Sequence, residues 1–356
     1  TWGTNAITID SNGLNYQGDP DTLTVEYTTS GQSINIVYSD ATKGWVPLED
    51  DVTANEPVAP VTQKAIMVFG SDDNGATATG VSNLISSSGV VASDTSAVAT
   101  AKLMSMAATY GFDKAVYAFG DNGSNAGNTV NNSRNLVSNQ GVVASTVTGA
   151  GTARNGGAAT EYGTSGQAVI AFGYTASAMT NLSNLVSNQG VVASDTTGVG
   201  TARYYPAGGR YGVGLGIFGY GSNNNSVSMS NKVSSSGVIA SDTSGVGTAG
   251  FARSFAPYGS GLGMFIYGNN SGYSNQTNRV SNTGVVASNG QAAGTGRMDG
   301  AGSSYGGDKG IGGFGYNGSP LGQTNLISNS GVVASDTSAV GTARAKGEFA
   351  GYSNSA

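Results

Sequence analysis

Residues 324–336 read Thr-Asn-Leu-Ile-Ser-Asn-Ser-Gly-Val-Val-Ala-Ser-Asp, and relatives of this phrase recur upstream. Its core, Gly-Val-Val-Ala-Ser or once Gly-Val-Ile-Ala-Ser, begins at Gly89, Gly141, Gly190, Gly237, Gly284 and Gly331, at spacings of 52, 49, 47, 47 and 47 residues. Six copies at a period near fifty, built of short apolar runs between Gly, Ser and Asn, predict a β repeat protein of the propeller kind. A β-solenoid would have much shorter rungs.

Each copy divides into four predicted strands. Strand A follows Thr-Ala-Arg or a variant of it, as in residues 201–211, and ends at Tyr110, Tyr162, Tyr211, Tyr258, Tyr305 or Tyr352. Strand B is the apolar run Lys64 to Gly70, with counterparts beginning at 114, 167, 213, 262 and 309. Apolar on both faces, it should lie between two neighbouring sheets. Strand C begins at Asn83, Asn135, Asn184, Asn231, Asn278 or Asn325, and strand D is the Val-Val-Ala-Ser phrase itself, joined to C by a polar turn that ends in Gly.

The two ends of the repeat region complement each other. The first B strand has no A strand before it, because residues 51–63 carry Pro57 and Pro60 and the wrong pattern. The last copy runs on through Thr342-Ala343-Arg344 to Tyr352, an A strand with no B strand after it. The count predicts that this last strand completes the first sheet and leaves no end sheet with an uncovered edge.

Arg and small residues, an aromatic, an apolar strand ending in Gly, a variable loop and a closing strand follow one another in each copy. In this the repeat resembles the kelch type over residues 64–356. It departs from that type where kelch repeats carry a double Gly and a Trp, having Phe-Gly or Tyr-Gly instead and no Trp in any copy. The expected fold is all-β: a six-bladed, kelch-like β-propeller closed by its C-terminal strand (64–356), after a small N-terminal β segment (1–50) and a linker (51–63).

In the N-terminal segment, residues 5–10, 22–28 and 33–38 read as strands, with apolar faces at Leu23, Val25 and Tyr27 and at Ile34, Ile36 and Tyr38. Fifty residues offer a thin core, which a partner chain would complete. The phrases Thr1-Trp2-Gly3-Thr4-Asn5 and Ser33-Ile34-Asn35-Ile36-Val37-Tyr38-Ser39-Asp40-Ala41-Thr42-Lys43-Gly44-Trp45 are similar to segments of bacteriophage tail-fibre and virion appendage proteins, above all those of marine and cyanobacterial phages. The phrase at 324–336 is similar to repeats attached to such segments. The resemblance implies a protein of the virion surface, held to other virion proteins or to identical copies through the N-terminal segment as a homo-oligomer. Trp2, Asp21, Glu26 and Trp45 are the candidate attachment residues. The alternative is a secreted or surface adhesin of a bacterium, with a carbohydrate-binding propeller.

Composition narrows the chemistry. The 356 residues include 58 Gly but neither Cys nor His, so disulfides, thiolate nucleophiles and the usual neutral-pH base and metal ligand are missing. Within 64–356 the only glutamates are Glu161 and Glu348. A structural or binding protein is expected rather than an enzyme, with no cofactor. Residues 1–63 carry nine acids against Lys43, a net of −8, and the remainder nets +2 with scattered bases, which argues against nucleic acid. No apolar run approaches the roughly eighteen residues of a membrane-spanning helix.

Two kinds of position compete for function. Arg154, Arg203, Arg297 and Arg344, with Lys102 in register and Gly250 breaking the series, could bind an anion along an axis, but a position kept in nearly every repeat is expected to serve the fold. The same holds for the repeated Tyr and Asn, and for Asp94, Asp195, Asp242 and Asp336, which read as turn formers rather than calcium ligands. The loops between B and C differ completely, as a recognition surface on a rigid scaffold would. Asp121, Asn122, Tyr174, Asn223, Asn224, Asn269, Asn270, Tyr273 and Asn317 are their candidate recognition residues for a host glycan or protein.

Overall fold

The structure, a computed structural model, describes residues 6–22, 24–29, 33–48, 63–73, 77–96, 99–123, 129–292 and 294–353. The chain divides into two compact units, Thr1–Pro60 and Val61–Ala356. Trp2, Leu23 and residues 51–62 of the expected linker lie outside the described residues.

In the first unit, β1 (Ile7–Ile9) pairs antiparallel with β2 (Val25–Tyr27), and β3 (Ile36–Asp40) with β4 (Gly44–Pro47). The alternation in β2 turns Val25 and Tyr27 inward, where they pack with Tyr16 and are flanked by Ile9, Ile34, Ile36 and Trp45. The strand β4 was not foreseen. Asp40 Oδ1 accepts bonds from the amides of Thr42 and Lys43, which reverses the chain early and leaves Trp45 paired with Tyr38.

Among the described residues, the second unit holds six small antiparallel sheets. The first contains β5 (Lys64–Val68), β6 (Val81–Ile85) and β7 (Thr95–Ser96); the second β8 (Met106–Tyr110), β9 (Lys114–Asp121), β10 (Val130–Val137) and β11 (Val147–Thr148). The third contains β12 (Ala158–Tyr162), β13 (Gln167–Ala171) and β14 (Ser183–Val186); the fourth β15 (Ala207–Tyr211), β16 (Leu215–Gly219) and β17 (Ser230–Val233). The fifth contains β18 (Ser254–Tyr258), β19 (Leu262–Ile266), β20 (Gln276–Val280) and β21 (Gly290–Gln291); the sixth β22 (Ala301–Tyr305), β23 (Lys309–Gly313) and β24 (Thr324–Ile327). The last strand, β25 (Glu348–Tyr352), joins the first sheet: Glu348 faces Val68 and Tyr352 faces Lys64 in antiparallel register.

Apolar clusters lie between successive sheets; one brings Phe172 of the third against Phe218 of the fourth at 5.5 Å, edge to face. The first strands also neighbour one another in a cycle: β8 lies against β12, β12 against β15, β15 against β18, β18 against β22, β22 against β25, and β25 against β8. Two sets of six backbone bonds run along this cycle. At one end the amides of Gly156, Tyr205, Ala252, Asp299, Lys346 and Met104 donate to the carbonyls of Met104, Gly156, Tyr205, Ala252, Asp299 and Lys346 respectively, at 2.7 to 3.2 Å. At the other, the amides that follow the six strand-ending tyrosines donate into the next sheet, from Gly111 to Gly166 O round to Ser353 to Asp113 O.

Strands A and D need correction. Strand A was expected over 201–211, but β15 begins only at Ala207, because Tyr205 is left-handed (φ 54°), as are its counterparts in the other five copies. Strand D was expected at Val-Val-Ala-Ser, yet this phrase makes one bridge per copy, such as Val137 to Val143, and a short fourth strand follows it only in the first, second and fifth sheets among the described residues. The phrase runs as an edge held by two backbone bonds, Ser138 N to Val142 O and Ala144 N to Leu136 O, and by a side chain: Asn135 Nδ2 donates to Ala144 O at 3.1 Å and to Thr146 Oγ1 at 2.9 Å. Its first valine faces solvent (Val142, 61% exposed) while the second is buried (Val143). The turn glycine before it is required twice over: Gly141 has φ 76°, and a Cβ there would lie 3.1 Å from the ring of Tyr352 in the preceding sheet.

The repeated cation is structural. Strand B ends in an aromatic residue and a Gly that are both left-handed, as at Phe172 (φ 63°) and Gly173 (φ 113°), and this turns the ring sideways under the next chain segment. There the guanidinium of Arg203 lies 4.0 Å from the Phe172 ring centroid, and Arg154 lies at the same distance from Phe119. Each cation thus rests on the ring of one sheet while binding the next. Arg154 donates to Phe172 O at 3.0 Å and to Asn184 Oδ1 at 2.6 Å, and Asp195 stands 3.8 Å away. Burial pulls Arg154 down to about 10, with Asp195 opposing, so it stays charged at neutral pH. At the junction of sixth and first sheets, Arg344 rests on Phe314 and donates to Phe69 O.

Gly250 does not break this series. Its carbonyl still accepts from Gly221 N, as its Arg counterparts' carbonyls do from theirs, and Arg253, three residues on, brings a guanidinium to the same place: 4.0 Å from the Tyr220 ring, donating to Asn278 Oδ1 at 2.9 Å and Thr248 O at 3.3 Å. Replacing either Arg203 or Arg253 with Ala should therefore cost a similar amount, about 3 kcal/mol for a broken buried network. Urea unfolding checks this; an Arg253→Ala protein as stable as the parent would contradict it.

Candidate recognition face

The segments that enter each sheet and the loops between its second and third strands meet at one end of the unit. The residue after each repeated cation position bridges to the first loop residue: Leu103 to Asp121, Asn155 to Tyr174, Tyr204 to Ser222, Phe251 to Asn269, Met298 to Tyr316, and Ala345 to Ser71. The backbone is thereby held while the side chains vary.

Aromatic residues gather on part of this end. Tyr174 meets Tyr204 at 5.7 Å, Tyr204 meets Tyr205 at 3.8 Å, and Tyr205 meets Phe251 at 6.3 Å, while Tyr273 and Tyr316 form a second pair at 5.9 Å. The hydroxyls of Tyr204 and Tyr205 both reach Met104 Sδ, at 3.1 and 2.9 Å. Burial pushes Tyr204 up to about 12, so these rings are neutral donors and apolar platforms at physiological pH.

Of the expected loop residues, Asp121 is turned inward. It accepts bonds from Gly123 N, Thr129 Oγ1 and Asn155 Nδ2 at 2.8, 2.7 and 3.1 Å and shapes its own loop. Asn122 is exposed and accepts from Asn131 Nδ2. Asn223, Asn270 and Asn317 each open a tight turn whose next residue is left-handed: Asn224 (φ 84°), Ser271 (φ 88°) and Gly318 (φ 109°). Asn269 Oδ1 accepts from the amides of Ser271 and Gly272, which stiffens that turn. Tyr273 is 44% exposed and Tyr174 half-buried, so these two can touch a ligand. Tyr204, Tyr205, Phe251 and Tyr316 were missed; the first three lie in connections read as strand A, where their failure to repeat was the available signal.

The N-terminal candidates serve their own unit. Asp21 accepts bonds from Ser11 Oγ and Gly13 N, and Trp45 packs on Tyr38 at 5.6 Å beside the small core. Glu26 lies in β2 opposite Thr8. Among the described residues, the exposed large apolar side chains of that unit are instead Leu14, Val37, Tyr38 and Leu48.

Beneath the aromatic end lies a cavity of about 30 Å³ lined by Ser105, Tyr205, Arg253, Asp299, Lys346 and Glu348, among others. Burial pushes Glu348 up to about 8, with help from the charge of Asp299; burial likewise raises Asp299 to about 6, against the pull of Lys346. Two carboxyls with separated pKa values are the material of acid–base catalysis, but this space holds about two waters and no sugar ring, since a cavity near 150 Å³ is what benzene needs. Among the described residues no three acidic side chains cluster as metal ligands would. Compared with known proteins, the chain matches no family model and no curated protein.

The carboxyl pair makes stability depend on pH. An unfolded Glu348 ionises near 4.5, whereas the folded one keeps its proton up to about 8, so the folded chain binds more protons between those values and loses stability as pH rises through them. Asp94, Asp195, Asp242 and Asp336 act oppositely at lower pH: burial opposes their ionisation, but hydrogen bonds from Thr and Asn side chains outweigh it and hold them below the ordinary 3.8. Melting temperature should therefore peak in mild acid, and Glu348→Gln should flatten its decline toward pH 8. An unchanged slope in that variant would remove Glu348 as the cause.

Proposed function

We propose that the second unit is a six-bladed, kelch-like β-propeller completed by β25, and that it works as a binding protein on a virion, in a tail fibre or surface decoration, recognising a host glycan or protein. The closure reading is supported by the two cycles of backbone bonds and by the pairing of β25 with β5. The binding reading rests on one observation: the side chains that escape the repeat collect as tyrosines at one end, above a rigid backbone, beside amide-rich turns. Tyrosine supplies contact area and a hydroxyl at small entropic cost, and Asn and Ser supply hydrogen bonds, a combination common in recognition surfaces. The N-terminal unit, with Val37, Tyr38 and Leu48 outermost, is the part that meets other virion proteins or identical copies.

Removing residues 343–356 should leave β5 paired only with β6, with its other edge bare, and interrupt both cycles, and the cooperative melt should be lost; a truncated chain that melts like the parent overturns the closure. In particles carrying this chain, Tyr273→Ala should spare incorporation and weaken host attachment about tenfold, as for a contact near the centre of an interface. Val37→Asp or Leu48→Asp should block incorporation instead. The reverse pattern would mean that the propeller docks on the particle and the N-terminal unit faces the host.

A further inference from the structure

The opposite end of the second unit, where the first strands end and the strand A to B turns lie, holds a second, partly open cavity. This cavity of about 130 Å³ is lined by Gln63, Thr109, Phe112, Glu161, Tyr162 and Arg210, with four glycines completing the wall. Thr109, Glu161 and Arg210 are the penultimate residues of β8, β12 and β15, so one position of the repeat supplies three unlike side chains here. We propose that this cavity is a binding site for a single sugar ring, separate from the aromatic face at the other end.

Charge argues for a ligand with both donors and acceptors. Glu161 and Arg210 share the cavity, yet neither belongs to an ion pair among the described residues. Each is held back on its own side: Glu161 Oε1 accepts from Thr109 N at 3.0 Å, and Arg210 Nη2 reaches only Ser304 Oγ, at 3.4 Å. A simple anion would meet the carboxylate and a simple cation the guanidinium, so either is opposed by one wall. An apolar ligand would desolvate both charges without replacing their hydrogen bonds. Hydroxyl groups satisfy both, donating to Glu161 and accepting from Arg210.

Phe112 completes the match. Its ring is 50% exposed, and its backbone is left-handed (φ 70°) in the turn after β8, a conformation that is strained for a bulky residue. Nothing in the packing requires an aromatic there. A ring at the rim offers the C–H face of a sugar an apolar surface while the hydroxyl edge turns inward. Size sets the limit: at about 130 Å³ the cavity is smaller than the roughly 150 Å³ that encloses benzene, so it takes the hydroxyl edge of one ring while the rest stays at the mouth beside Phe112, and drug-sized ligands need roughly 300 Å³ or more. The glycines Gly163, Gly166, Gly212 and Gly214 leave backbone as the wall; a Cβ at Gly166 would lie 2.8 Å from Gly111 Cα.

The test is titration of the full chain with free hexoses, N-acetylhexosamines and their methyl glycosides, followed by NMR and calorimetry. At least one should bind saturably in the millimolar range, and binding of the methyl glycoside would show that the ring can belong to a longer chain. Glu161→Gln and Phe112→Gly should each weaken binding about tenfold, while Phe112→Gly melts no lower than the parent because it relieves the backbone. Tyr273→Ala, at the other end, should leave this binding unchanged, so failure here is separable from failure of the attachment reading. Absence of saturable binding across the panel, binding untouched by both variants, or preference for a free amino acid over every sugar would overturn the proposal.

Discussion

Each junction between sheets is held by a buried cation that belongs to two of them. The cation lies over an aromatic ring of one sheet, and at Arg154 its N–H groups bind a carbonyl and an asparagine of the next. Such a group is costly to desolvate and strongly destabilising if one partner is lost. That explains why so much of each repeat serves it. The left-handed aromatic-Gly pair aims the ring, the buried Asn ties the edge phrase and at Asn184 and Asn278 also receives the guanidinium, and an Asp or its substitute holds the Thr two residues before the cation position. The last of these networks joins Asp94 to Thr342 across almost the whole unit.

The exceptions follow the same physics. In the second sheet the acid is replaced by Thr146, and the cation is Lys102, whose Nζ lies 5.1 Å from the Phe69 ring and donates to Ser133 Oγ. Burial pulls Lys102 down to about 8, so this ammonium is charged at neutral pH but held less firmly in that form than the arginines. In the fifth sheet the acid becomes Asn289, and the guanidinium arrives from Arg253 instead. Gly250 makes this substitution sterically workable, because a Cβ there would stand 3.4 Å from Arg253 Nε and 2.9 Å from Asn269 O. Acid and cation thus change together within single copies of the repeat.

What the network leaves free defines where ligands can be met. The residue after each cation position is pinned by a backbone bridge but has no fixed side-chain duty, and it varies from Leu103 to Asn155, Tyr204, Phe251, Met298 and Ala345. At the far end the penultimate residue of each first strand is equally free, which is how Glu161 and Arg210 come to share a cavity. A rigid repeat therefore carries two sets of unconstrained side chains, one at each end.

The sequence by itself determined the β class, the number and order of copies, the positions of strands B and C and the pairing of the last strand with the first sheet, because alternation, apolar runs and strand counts are local or additive properties. It also marked Arg, Asn and Tyr as structural through their recurrence. Only the tertiary structure decided that Val-Val-Ala-Ser is a pinned edge rather than a full strand, since beyond a few backbone bonds to strand C it is tied by an Asn side chain nine residues away. It alone placed Arg253 where the series looked broken, turned Asp121 inward, and set Tyr174 beside Tyr204 and Glu161 near Arg210. A guanidinium can reach one point in space from two different places on the backbone, and a periodic reading of sequence registers the place on the backbone, not the point reached.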